Sequence, residues 1–119
     1  DLKAGTIKNR RPAVKVPESE GWPDGMTMDA EGKLWVCHWD GWRVNRWDPE
    51  SGRLLQTVKI PAARVTSCAF GGANLDILYV TTARIGLKED ALAAQPHAGG
   101  LFAVTGLGVR GLPSCRYGG

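Results

Sequence analysis

The sequence predicts an all-β protein built from the four-stranded blades of a β-propeller. Two internal repeats indicate this fold. Residues 1–7 (DLKAGTI) resemble residues 48–54 (DPESGRL), at an offset of 47 residues between their glycines. Residues 25–29 (GMTMD) resemble residues 67–71 (SCAFG), at an offset of 42 residues. Repeats of this length are typical of propeller blades.

The local pattern of short strands agrees with the repeats. The predicted strands are rich in β-branched and aromatic residues and are bounded by Gly, Pro or Asp. Asp40-Gly41 is a strong hairpin signal, and residues 48–52 form a turn whose proline presets φ. One complete blade is therefore predicted within residues 18–61, with strands at 25–28, 33–39, 43–47 and 54–60.

A second blade is predicted over residues 62–119. Residues 85–99 form an insertion, in which 88–95 are expected to make one or two helical turns before Pro96. Residues 1–17 are assigned to the end of a preceding blade, including a short strand that ends at Pro17. The predicted strands of the second blade are 66–70, 77–82, 100–105 and about 112–117.

The predicted total is about two and a third blades, whereas closed propellers have roughly four to eight. Each blade buries its faces against its neighbours, so both ends of this chain are expected to expose apolar surface. The chain is therefore expected to be a fragment, or to close its fold with missing blades or by self-association.

Composition narrows the function classes. The chain has 119 residues, 43% hydrophobic and 23% charged, which is typical of a globular protein. Its net charge of +3 is dispersed, so a nucleic-acid partner is not expected. No apolar run approaches the ~20 residues of a membrane span. The three cysteines form no CxxC pair, which favours a reducing, cytoplasmic location over a disulfide framework.

Strand alternation assigns the loops to two ends of the blades. Residues 18–24, 39–42, 63–66 and 84–99 are expected at one end, where Asp24 enters the innermost strand beside the propeller axis. A carboxylate there can reach an ion on the axis. The acidic residues of the other end are predicted to form turns; they are Asp29, Glu31, Asp48 and Glu50.

Several segments together resemble the senescence marker protein (regucalcin)/gluconolactonase/luciferin-regenerating enzyme family, and the regucalcin-type members above all. The resemblance extends over essentially the whole chain. The segments that carry it are PDGMTMDAEGKLWV (23–36), GWRV (41–44) before Asp48-Pro49, TSCAFGG (66–72), LYVTTAR (78–84), AGGLF (98–102) and GLGVRG (106–111).

The resemblance implies a six-bladed propeller in the intact protein and one divalent cation, calcium or zinc, on its axis. The family's ligands are a glutamate, two asparagines and an aspartate. Asp24 matches the aspartate of the Pro-Asp-Gly-Met motif, and the other ligands belong to blades outside this chain. Family members hydrolyse sugar-acid lactones, so Asp24 is assigned first as a metal ligand and second as a candidate base.

Two other functions stay open beside a fragment of a metal-dependent lactonase. One is a calcium-binding regucalcin-like protein in which catalysis is not the main role. The other is an inactive partial propeller. The sequence contains no GxSxG motif and no phosphate-binding glycine loop, so serine-nucleophile and nucleotide chemistry have no support.

The turn after the second strand departs from the family pattern of a small polar residue before Gly-Gly. Here Trp39 and Trp42 flank Asp40-Gly41. These two tryptophans are expected either to line the substrate pocket and stack on a sugar ring, or to pack within the protein. As pocket residues they would narrow the pocket. The other tryptophans, Trp22, Trp35 and Trp47, are predicted to pack in the core or between blades.

The remaining residues with chemical potential are expected to be structural. Cys37 and His38 lie on opposite sides of one strand with no second histidine nearby, and Cys68 is predicted to be a small buried hydrophobe. His97 is expected in solvent. Arg84 ends a strand at the same end as Asp24. A structural role is favoured for it over contact with the substrate.

Overall fold

The computed structural model describes residues 3–116 and 118. Its first antiparallel sheet has four strands in sequential order, and each strand matches one of the predicted β-rich segments to within a few residues. β-Branched and aromatic side chains suit these strands because they pack on a pleated surface. The strands are β1 (Trp22–Met28), β2 (Leu34–Trp39), β3 (Arg43–Trp47) and β4 (Leu54–Lys59).

The second sheet has three described strands in sequential order, β5 (Arg64–Gly71), β6 (Ile77–Ala83) and β7 (Leu101–Val104). The connection from β6 to β7 contains a six-residue helix, α1 (Glu89–Ala94). Nowhere in residues 3–116 or 118 is there a helix long and apolar enough to cross a membrane.

The predicted strand at about 112–117 is wrong over its described residues, because residues 112–116 form no strand; Tyr117 lies outside the described part. The chain instead turns to the first sheet, where Gly111 forms an isolated bridge with Asp29. The Gly111 amide also donates to Leu75 O at 2.8 Å. Pro113 has no amide hydrogen to offer a further ladder, which favours this ending.

The strand predicted before Pro17 is also wrong, since residues 3–17 contain no strand; Asp1 and Leu2 of the first repeat lie outside the described residues. A 3₁₀ turn at Glu18–Glu20 leads into β1. The segment lies against the first sheet, where Arg11 Nη1 donates to Pro49 O at 3.1 Å. Without a neighbouring strand in the described chain, its backbone has no ladder to join.

The two sheets pack face to face as adjacent blades do, and the core lies between them. Trp35 is fully buried and meets Phe70 edge to face, with ring centroids 5.7 Å apart. Trp47 is buried as predicted, whereas Trp22 is 71% exposed, so the prediction that it packs is wrong. The apolar side chains of the core include Cys37, Val44, Val65, Cys68, Leu78 and Val80.

The face of β1 that points away from the second sheet is exposed. Met26 and Met28 pair in register with Val36 and Leu34, which places them on the face opposite Trp35. Met26 is 63% exposed there. This apolar surface agrees with the expectation that the chain forms only part of a propeller.

Candidate functional site

The strand order places four segments at one end of the molecule, here called the site end: Trp22–Asp24, Trp39–Arg43, Arg64–Thr66 and Arg84–Leu101. Antiparallel neighbours start and stop alternately at each end, so these segments meet. The segment before β1 comes closest to the hairpin between β2 and β3: a Cβ on Gly21 would clash with Trp39 O, and one on Gly41 with Glu20 O.

Asp24 lies in a β-bulge of β1. The register of β1 with β2 shifts between Pro23 and Met26, so Asp24 and Gly25 together face a single position, Cys37. Bulges re-aim a side chain and recur beside active sites. Asp24 is exposed, and its side chain forms no hydrogen bond or ion pair with the described residues.

Gly25 brings this bulge against the second sheet. A Cβ there would lie 2.6 Å from Ser67 Oγ and 2.7 Å from Thr66 O. Only a residue without a side chain permits this approach without displacing β5. β5 carries its own bulge at the equivalent place, since its register with β6 shifts between Val65 and Ser67. Both innermost strands are therefore distorted at the site end.

The hairpin between β2 and β3 holds two residues in the left-handed region, Asp40 and Trp42, both at φ 58°. This backbone is unusual for a bulky residue such as tryptophan and costs about 1–3 kcal/mol. Hydrogen bonds retain it: the Trp42 amide donates to Ala63 O at 3.2 Å, and the Ile60 amide donates to Trp42 O at 2.9 Å. The hairpin is thus fixed by the start of the second blade.

The two tryptophans of this hairpin differ. The Arg64 guanidinium lies 4.9 Å from the centroid of the Trp39 ring and donates from Nε to Asp40 Oδ1 at 3.1 Å. A cation over an indole face is attractive. Trp42 is 40% exposed. The structure therefore brings both residues to the site end, with Trp39 engaged by Arg64 and Trp42 partly open.

A side-chain hydrogen bond holds the insertion between β6 and β7 at the site end. The side chain of Gln95 is buried, and its Oε1 accepts a hydrogen bond from the Ala63 amide at 2.7 Å. Beyond it, a cleft of about 390 Å³ lies between Arg84 and residues 96–102, which include an exposed His97. No carboxylate lines this cleft, and His97 is its one imidazole.

A cluster of polar side chains around Glu20 stabilises the site end. Glu20 pairs with Arg43 at 3.2 Å and accepts from Asn45 Nδ2 at 3.1 Å. His38 Nδ1 lies 2.9 Å from Glu20 O. Burial lowers the pKa of His38 against the opposing influence of Glu20, which favours the neutral ring. The side chain is fully buried within β2, as a structural residue would be.

The described residues do not supply a complete metal site. Calcium takes about six to eight oxygen ligands. Within residues 3–116 and 118, no three His, Cys, Asp or Glu side chains converge on one point. Asp24 offers one carboxylate of suitable chemistry, and the nearby Glu20 is engaged with Arg43 and Asn45.

Sequence reasoning missed the role of Asp29, which was predicted only as a turn former. It is fully buried at the end opposite the site end. Its Oδ1 accepts from the Glu31 and Lys33 amides, and its Oδ2 from Trp35 Nε1 at 2.9 Å and Arg46 Nε at 2.7 Å. The Trp and Arg follow it by 6 and 17 residues, a spacing that carries no recognisable signal.

Comparison with known sequences gives one family. The profile described as "SMP-30/Gluconolactonase/LRE-like region" matches residues 1–84. Regucalcin of Danio rerio is 54% identical over 117 residues, which are 98% of this chain and 40% of that protein. Regucalcin of Homo sapiens is 52% identical over 119 residues, again 40% of its length. The chain thus spans about two-fifths of these relatives.

Solved structures agree. A luciferin-regenerating enzyme superposes with a TM-score of 0.82 at 43% identity, over 94% of this chain and 38% of that one. A regucalcin from Agrobacterium tumefaciens, described as a calcium-binding protein, superposes with a TM-score of 0.72 at 35% identity, over 78% and 31%. Together with the bulged Pro-Asp-Gly strand, these matches show that the chain belongs to the SMP-30/gluconolactonase/LRE-like family and forms part of its β-propeller.

Proposed function

We propose that this chain contributes Asp24 to the active site of a divalent-metal-dependent lactonase that hydrolyses sugar-acid lactones. One observation carries the proposal. Asp24 is an exposed carboxylate, aimed by a bulge at the site end and left without a side-chain partner in the described residues, inside the segment that matches the family profile. Bulges that re-aim a side chain recur beside active sites.

The cation belongs to the proposal as well. Calcium is favoured because a structural relative is described as a calcium-binding protein, and zinc is the alternative. Since no three His, Cys, Asp or Glu side chains of the described residues converge on one point, Asp24 would be one ligand among several. The others would come from outside the described residues. When bound, such an ion polarises a carbonyl group.

Asp24 also has a chemical role of its own. A carboxylate beside the lactone takes the proton of a water molecule while the water oxygen attacks the carbonyl carbon. The ring C–O bond then breaks, and the ring oxygen leaves with a proton as an alcohol. The product is the open-chain sugar acid. Trp42, partly exposed beside this place, would shield the ring from bulk water.

Hydrolysis of glucono-δ-lactone by the purified protein at its native length tests the proposal. With calcium or zinc present, Asp24→Asn should lower kcat/KM by about 100-fold or more, because it removes the acid–base group. Asp76→Asn is the matched control, since Asp76 is exposed at the opposite end. Equal activity of Asp24→Asn and the wild type would remove Asp24 from the site.

A calcium-binding protein in which catalysis is not the main role is the second candidate, supported by the description of the same structural relative. Calorimetric titration with calcium distinguishes the two. Binding that depends on Asp24, without lactone hydrolysis, would favour this candidate. Neither binding nor hydrolysis would favour an inactive partial propeller, whose open face at Met26 and Met28 would then be expected to associate.

A further inference from the structure

We propose that Trp22 is the platform on which the ring of a sugar lactone stacks beside Asp24. The inference rests on the proposed function and extends it to a residue that sequence reasoning placed in the packing. Trp22 is 71% exposed at the site end. An indole is flat, rigid and amphipathic, so its face suits the C–H face of a sugar ring while its N–H stays solvated.

The exposure of Trp22 has a different origin from that of the methionines on the same strand. Met26 faces away from the second sheet, where nothing in the described chain covers it. Trp22 pairs in register with Trp39, so both side chains lie on the face that turns toward the second sheet. The second sheet packs on this face, and the Trp22 side chain is nevertheless exposed.

Spacing places the indole beside the carboxylate. Trp22 and Asp24 are two residues apart in an extended strand, which corresponds to about 7 Å. Asp24 and Gly25 lie opposite Cys37 across the bulge, and Cys37 is two residues from Trp39 along β2. A single lactone ring can therefore lie on Trp22 while its carbonyl group approaches Asp24.

Neighbouring groups leave Trp22 as the most open indole of the site end. Arg64 occupies one face of Trp39, and Trp42 is less exposed and held in the left-handed region. Pro23 follows Trp22 directly and restricts its backbone to extended conformations. A flat indole face suits a ligand ring that has an apolar C–H face, as a sugar lactone has.

Steady-state kinetics of the protein at its native length tests this inference with glucono-δ-lactone. Trp22→Ala should raise KM about tenfold, the size of a lost stacking contact, and leave kcat within about twofold. Trp22→Phe should retain most of the affinity because it keeps an aromatic face. Leu112→Ala is the control, since Leu112 is 50% exposed and follows Gly111, which bridges Asp29 at the end opposite the site end.

An unchanged KM in Trp22→Ala overturns the inference. So does a fall in kcat that Trp22→Phe does not rescue and that accompanies a lower melting temperature, because that pattern indicates a structural residue. If the wild type hydrolyses no lactone, the proposed function fails separately. Calorimetric titration with glucono-δ-lactone then decides: binding that Trp22→Ala abolishes supports the platform, and absence of binding by the wild type refutes both.

Discussion

Asp24 and Asp29 lie five residues apart in one motif, at opposite ends of the same strand, and their surroundings differ completely. Asp29 is fully buried and accepts hydrogen bonds from two backbone amides, an indole and a guanidinium. Asp24 is exposed and has no side-chain partner among the described residues. The first carboxylate is saturated by its own chain, and the second is available to a ligand.

The electrostatics of Asp29 follow from that saturation. Burial by itself would raise the pKa of its carboxyl. Hydrogen bonds from Arg46, the Lys33 amide and Trp35, with the charge of Arg46, outweigh burial and hold the pKa below its ordinary value. Arg46 also pairs with Glu31 at 2.6 Å. The end opposite the site end is thus a closed polar network, and it fixes the blade that presents Asp24.

Replacing Asp29 should give the largest effect on stability. In Asp29→Asn the amide NH₂ would face Trp35 Nε1 and Arg46 Nε, both donors, in place of Oδ2. Disruption of a buried ion pair of this kind costs about 3 kcal/mol. Urea unfolding at pH 7 measures the loss. Asp24→Asn is the control and should change the free energy of unfolding by less than about 0.5 kcal/mol. If it lowered the free energy of unfolding as much as Asp29→Asn, the contrast between the two aspartates would be wrong.

Gly25→Ala should give the next largest effect, because it acts on the contact between the blades. The new Cβ would meet Thr66 O at 2.7 Å, a backbone atom that cannot rotate away. Overpacking of this kind costs about 1–3 kcal/mol, and we expect the lactone hydrolysis proposed above to fall with it because Asp24 is displaced. Gly118→Ala is the control, since no atom lies within 4 Å of the added group and its φ is unexceptional. Equal stability of the two variants would show that β1 and β5 do not approach as described.

The dependence of stability on pH should distinguish the aspartates more finely. Asp29 has a folded-state pKa below the ordinary 3.8, so its stabilisation is fully present above that value and is lost as the pH falls through the folded-state pKa. The difference in unfolding free energy between the wild type and Asp29→Asn should therefore shrink below about pH 4. Urea unfolding at pH 2.5, 4 and 7 measures it. A difference that grows in acid would contradict the ion pair.

The sequence predicted the strands well because short β-rich segments between turn residues are local features. It failed where tertiary context decides. The segment at 112–116 is diverted to Asp29 through Gly111, and the segment before Pro17 has no strand to pair with. A repeat period of 42 to 47 residues predicts that blades recur along the chain. It does not show which strand edges pair with another strand.

The candidate site was predicted in the same uneven way. The Pro-Asp-Gly motif gave Asp24, and strand alternation gave the end at which it lies. Trp22 was assigned to packing because most tryptophans are largely buried; the register with Trp39 shows which face it lies on, and only its 71% exposure shows that it is open. The bulge that aims Asp24 also needs the registered partner strand to become visible.

Thiol labelling should give the smallest and most local effect. Cys37 and Cys68 are buried between the blades, and Cys115 is exposed. A hydrogen bond with Cys68, together with burial, raises the pKa of the Cys37 thiol far above its ordinary value, so little thiolate is present to react. We expect iodoacetamide at pH 8 to label one cysteine in the folded chain and three in urea, as counted by mass spectrometry. In Cys115→Ser the folded chain should take no label. Rapid labelling of Cys37 or Cys68 in the folded state would mean that the blades separate readily, and Asp24 would then lack the fixed second blade against which its bulge is packed.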